Sequence, residues 1–152
     1  MKKIYHAEGL LERNFVGQIT YTVCLEQPLN KLDIEFSFDK QHYTESDLTP
    51  ELMAEFADVC KREYGLTGSP AEVRHSMLTE VKTEIHTLAT LNGEFIGCVH
   101  KQLTTRHMTY DGECASDGCI PQSRIEGVLQ VTVLVFNVLM DSTHYALTVR
   151  GE

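Results

Sequence analysis

Five residues between positions 98 and 119 carry the side chains of a zinc site: Cys98, His100, His107, Cys114 and Cys119. Thiolate sulfur and imidazole nitrogen are the usual ligands of that ion, and Cys98 and His100, two residues apart, project from one face of a strand. The rest of the spacing works against the site. Cys114 and Cys119 enclose four residues and lack the flanking ligand pair of a zinc knuckle or ribbon. His107 lies an odd number of positions from His100, so an unbroken strand turns it to the opposite face, and only a bulge repairs that. Read instead as a redox pair, Cys114 and Cys119 have Asp111, Glu113 and Asp117 as nearby charges, which disfavour a thiolate. The acids of "DGECASDG" do not follow the alternation of a calcium loop. The stretch 107–124 therefore reads as a strand end followed by an acidic connection closed by Pro121, placed beside a pocket mouth or an interface.

Two other groups could do chemistry. Asp33, Glu35 and Asp39, with Glu26 nearby, alternate along an apolar strand and could bind a cation or serve as an acid–base pair. The commoner use of such a pattern is a solvated sheet face guarded against edge pairing. His86 and His100 are the candidate acid–base histidines, with His144 near the last turn, yet no Ser or Cys is spaced to make either part of a nucleophile pair. No GxSxG, Walker, GxGxxG or HExxH pattern occurs. No cofactor is expected.

These side chains belong to a chain of 152 residues, long enough to bury about two thirds of its unfolded surface as one domain over 1–152. It is 42% hydrophobic and 23% charged, the balance of a globular protein, and has no internal repeat. A net charge of −9 with no Lys/Arg stripe repels phosphate backbones, which argues against a nucleic-acid partner. "MKKIYHAEG" lacks the apolar core of a secretory signal, and the longest apolar run, "VLQVTVLVFNVLM", is too short to span a bilayer. Neither a membrane partner nor a disulfide framework is expected. Five cysteines without framework spacing fit reduced thiols in the cytoplasm.

The elements that must position the candidates follow from periodicity. "FVGQITYTVCL" and "KLDIEFSFDK" alternate with period two, and the short "EQPLN" between them predicts an antiparallel hairpin, preceded by a short strand at "KIYHA". The period then changes. Thr49 caps a helix that opens on Pro50 and ends at Gly65, and "SPAE" from Ser69 to Glu72 is a capping box opening a second helix to about residue 79. Asn92-Gly93 predicts a hairpin between strands near 82–91 and 94–110. Two further strands are expected at 124–139 and 143–150, joined as a last hairpin. The sum is an α+β fold on a mainly antiparallel sheet of six to seven strands, curled or barrel-like, with a two-helix insertion packed against it.

Face parity then sorts the candidates. A regular two-residue turn at Asn92-Gly93 sets Ala89 opposite Ile96, Thr87 opposite Cys98 and Ile85 opposite His100. Cys98 and His100 then share a face, and His86 points to the other. In the last hairpin, Leu134, Phe136 and Val138 should share a core face with Tyr145, Leu147 and Val149. The strand at 124–139 is apolar on both sides and wants cover on both, from the helices or from another subunit. The expectation is a non-catalytic binding or accessory domain with an apolar pocket for a small ligand or a homo-oligomer interface. The alternative is a small-molecule enzyme using His86, His100 and nearby carboxylates in a sheet–helix cleft.

Overall fold

A computed structural model describes residues 1–101 and 103–152. Among them are nine strands: β1 (Lys2–Leu11), β2 (Gly17–Leu29), β3 (Lys31–Phe38), β4 (Glu84–Leu91), β5 (Glu94–Val99), β6 (Thr105–Asp111), β7 (Cys114–Ala115), β8 (Ile125–Asn137) and β9 (Thr143–Gly151). Two helices, α1 (Pro50–Tyr64) and α2 (Pro70–Thr79), separate β3 from β4. The strands form two antiparallel sheets, one ordered β1-β9-β3-β6-β7 and the other β2-β8-β4-β5. The sheets are not closed into a barrel. The α+β class and the antiparallel pairing agree with the expectation; the strand count and the single curled sheet do not.

The core lies between the sheets. Leu32, Ile34, Phe36 and Phe38 of β3, Met108 and Tyr110 of β6, and Leu147 and Val149 of β9 face Ile85 and Ala89 of β4 and Leu129, Val131, Val133 and Val135 of β8, all buried in one cluster. Each strand contributes every second residue, as the pleat requires. Arg106 sits among them. Its Nε donates to Leu103 O at 2.8 Å and its Nη1 to Ile85 O, so it ties β6 of one sheet to β4 of the other.

Three expectations give way. β2 and β3 are consecutive, but β2 pairs with β8 while β3 pairs with β6 and β9. The strand expected at 94–110 is interrupted after Val99, and its second half, β6, lies in the other sheet; Gln102, inside that expected strand, lies outside the described residues. β8 and β9 are not a hairpin either. The chain crosses between sheets at 138–142, so Val131, Val133 and Val135 face the core while Phe136 points outward, 51% exposed. Alternation reveals which residues face inward. It does not reveal which strand lies next door, and a short connection can round the corner of a sandwich as easily as it can close a hairpin.

The helices formed as the caps predict. Thr49 Oγ1 accepts from Leu52 N at 3.1 Å, Gly65 takes the left-handed conformation (φ +67°), and Ser69 and Glu72 exchange side-chain bonds to each other's backbone N–H. The pair does not cover a sheet face, because the two sheets cover each other. It packs at one end of the sandwich around a separate small cluster of Tyr43, Met77 and Leu139. Thr83 fixes the neck: its Oγ1 donates to Lys40 O at 3.1 Å and accepts from Leu139 N at 3.1 Å. α1 buries none of its residues. No helix is long and apolar enough to cross a membrane among the described residues.

Candidate functional site

On the outer face of the five-stranded sheet, register sets Asp33 of β3 opposite Arg150 of β9 and Glu35 opposite both Thr148 and His107 of β6. His107 Nδ1 lies 2.8 Å from Asp33 Oδ1, and Arg150 Nη1 donates to Glu35 Oε2 at 2.8 Å and to Asp33 Oδ2 at 3.2 Å. The bond to Glu35, foremost, holds the Arg150 guanidinium above its ordinary pKa, so it stays charged. Asp33 is 5% exposed, not the solvated carboxylate its outward phase implies. The network continues across β9 to β1, where His6 Nδ1 meets Thr148 Oγ1 at 2.9 Å and His144 approaches Glu8 at 3.5 Å.

Single ligand atoms of Asp33, Glu35 and His107 lie within 4.8 Å of one another, the spread a divalent cation needs. Arg150 already supplies the positive charge between the two carboxylates. The cluster is therefore assembled as an ion-pair network around an arginine. His107 does meet partners, but they are the acids of β3 and not Cys98 or His100. Of the other outward acids, Asp39 accepts from His144 N at 2.8 Å at the sheet end, and Glu26 lies on β2 in the other sheet.

The outer face of the four-stranded sheet gathers His86 and His100, against the parity expectation. Thr90 still pairs with Phe95, but Ala89 pairs with Gly97, Leu88 with Cys98 and Thr87 with Val99. One extra residue, Ile96, is a bulge that moves everything beyond it by one position. Cys98 and His100 share a face as expected, and His86 joins them: the two imidazole rings lie 5.9 Å apart and the Phe136 ring, tilted at 53°, lies 4.6 Å from His86. Glu84 Oε1 is 3.1 Å from His86 Nε2. Burial, first, and the neighbouring Cys119 push the Cys98 thiol up, away from the reactive thiolate.

The stretch 112–120 is ordered by this same edge. Cys98 N donates to Gly118 O at 2.9 Å, Ile120 N donates to Ile96 O at 2.8 Å, and Cys119 bridges to Gly97. All five cysteines are free thiols; Cys114 is exposed, and Cys119 is partly buried against the core, where Ser116 Oγ reaches its Sγ at 3.5 Å. Gly97 leaves room here: a Cβ would stand 2.8 Å from Cys119 Sγ and 2.9 Å from Tyr110 Oη, so these side chains would have to shift for any larger residue. Among the described residues, Cys98, His100, Cys114 and Cys119 do not form a metal-holding group, and the cluster with ligand spacing is the acid–histidine one.

A further feature is a groove of about 720 Å³ between α1 and α2, floored by Phe56, Ala57, Cys60, Leu66, Ala71 and Val73. Asp58, Glu72 and Glu80 outnumber Lys61 on its rim.

Two facing antiparallel sheets with a helical hairpin at one end define an α+β sandwich with polar networks on its outer faces. The chain belongs to a family of unknown function, DUF6669, whose model matches residues 1–152. No curated protein and no solved structure matches it.

Proposed function

We propose that this chain is a non-catalytic binding module whose site is the groove between α1 and α2, and that its ligand is a small amphiphile with an apolar body and a neutral or cationic head. The observation that carries this is the groove itself. Its volume lies within the range of small-molecule sites, its floor is apolar, and its rim is mainly acidic. Phe56 of α1, on the groove floor, is only partly covered, which a ligand would complete. Five free thiols support a reducing compartment, so we place the protein in the cytoplasm.

Titration with Nile red, a neutral apolar fluorophore, tests the groove. The wild type should enhance its emission saturably, and Ala71→Phe, which fills the groove from an exposed helical position, should weaken that binding at least about tenfold with unchanged circular dichroism. Emission that does not saturate, or that Ala71→Phe leaves unchanged, sinks the reading.

A second reading, an acid–base site on His86, His100 and Glu84, has in its favour the bulge that brings the two rings together. It is less well supported, because the helical groove is lined by neither ring. Loss of a measured turnover in His86→Gln, found by screening small esters and amides, would favour it.

A further inference from the structure

Four strand edges end the two sheets, and three of them carry a device against pairing with another chain. β7 is two residues long. The edge of β5 is covered by backbone bonds from Gly118 and Ile120. β1 carries Lys2, Lys3, His6 and Glu8 and a register shift between Lys3 and Tyr5. Short strands, covering loops, charges and bulges are how sheet proteins blunt their edges.

β2 has none of these over most of its length. It is 13 residues long and pairs on one side only, with β8. From Gly17 to Leu25 its sequence, "GQITYTVCL", contains no charged residue and no proline; Glu26 and Pro28 come only at the end. The pairing with β8 is regular through that stretch. Among the described residues, no backbone bond from a turn or loop reaches 17–25. Ile19 and Tyr21 point toward the core yet stay partly exposed, whereas Val23 and Leu25 further along are buried.

We propose that β2 pairs antiparallel with β2 of a second copy of this chain about a two-fold axis, joining the two four-stranded sheets into one of eight. The charge pattern selects this occupant. Each copy carries −9, so two copies repel overall, and that repulsion is least added to where neither places a charge in the contact. Across a two-fold the same short segment faces itself, and any charge within it would meet its own like nearby. A strand donated by another protein imposes no such neutrality on β2. The partner strand also completes the cover of Ile19 and Tyr21. This interface is independent of the helical groove.

Light scattering on the full chain, with hydrogen exchange read by mass spectrometry at low and high protein concentration, tests it. The expected result is a mass about twice 17.2 kDa, with the amides of 17–25 exchanging at least about tenfold more slowly in the concentrated sample while α1 and α2 do not change. The double variant Thr20→Lys with Thr22→Lys, at exposed positions on the outer face, should weaken dimerisation at least about tenfold. Thr67→Lys, away from the edge, should leave it unaltered. Were the double variant to misfold, the wild-type exchange map would still decide. A monomer at every concentration overturns the proposal, and so does a dimer whose protection maps to the helices or to an outer sheet face.

Discussion

Arg106 occupies an inward position on a strand whose other inward residues are Met108 and Tyr110, and it is 3% exposed, with no ion pair to an acid among the described residues. Burial pushes its pKa down to about 10. Two carbonyls and the faces of Phe36 and Phe38, at 5.7 and 5.5 Å, replace part of the water it gives up, while its buried Nη2 has no hydrogen-bond partner among the described residues. The carbonyl of Ile85 lies two positions beyond the Thr87–Val99 pair that ends the β4–β5 ladder, so the guanidinium satisfies it where strand pairing stops. Arg106→Ala should cost about 3 kcal/mol by urea denaturation, from a cavity and two unpaired carbonyls. Arg106→Lys should recover less than half of that, because an ammonium cannot reach both carbonyls with a planar fork. Arg150 acts differently. With it replaced by methionine, Asp33 and Glu35 lose the guanidinium that bridges them, so Arg150→Met should lower the urea midpoint of unfolding, and Arg150→Lys should recover only part of the loss.

At the scale of elements, the β4–β5 hairpin is held by more than its turn. Asn92 and Gly93 both take positive φ, the geometry that Asn-Gly predicts, and Asn92 also reaches across to β8: its Oδ1 accepts from Val128 N at 2.8 Å and its Nδ2 donates to Glu126 O at 2.9 Å. These bonds flank Gly127, where φ is +96° and a Cβ would lie 2.1 Å from Asn92 Oδ1. Asn92→Gly keeps the turn but loses both bonds, and should cost about 1–2 kcal/mol in thermal unfolding. The helix starts, the Asn-Gly turn and the inward faces of β3 and β9 were legible because each rests on local chemistry or on strand phase. The bulge at Ile96 was not. Nothing in "EFIGCVH" distinguishes a regular strand from one with an extra residue, and that residue decides whether His86 meets His100. The polar cluster was half legible: alternation marks Asp33 and Glu35, but only the order β9-β3-β6 brings Arg150 and His107 to their two sides. Arg106 could have been found, since a charge in the inward phase of an apolar strand asks for buried partners.

The whole molecule has two cores of unequal size. The sandwich closes on a cluster that draws residues from both sheets, whereas the helical hairpin rests on three buried residues and a neck at Thr83. The hairpin should open first, and native-state exchange should show α1 and α2 losing protection at a lower free energy than β8 and β9. Acid should expose the same hierarchy. The Thr44 hydroxyl holds Asp47 below the usual carboxylate range, and the Ser69 backbone N–H does the same for Glu72. Carboxyls lowered in the folded state contribute stability above their unfolded pKa of about 4, and that contribution is lost as pH falls through the lower folded values. Both groups cap helical turns, so helical ellipticity at 222 nm should decline below about pH 4 before the near-ultraviolet tyrosine signal does.

The strand order also governs when the molecule can exist at all. β1 is hydrogen-bonded only to β9, and β3 lies between β9 and β6, so Lys2 must find Gly151 and Leu32 must find the same residue from the other side. During synthesis these early strands leave the ribosome long before their neighbour does. Until Thr143–Gly151 emerges, the five-stranded sheet lacks the strand that joins β1 to the rest, and the apolar faces of β1 and β3 have to wait unpaired. Such distant pairing folds slowly, and it makes this chain a client for whatever shields nascent strands, with truncation anywhere before β9 leaving a fragment that collapses without assembling.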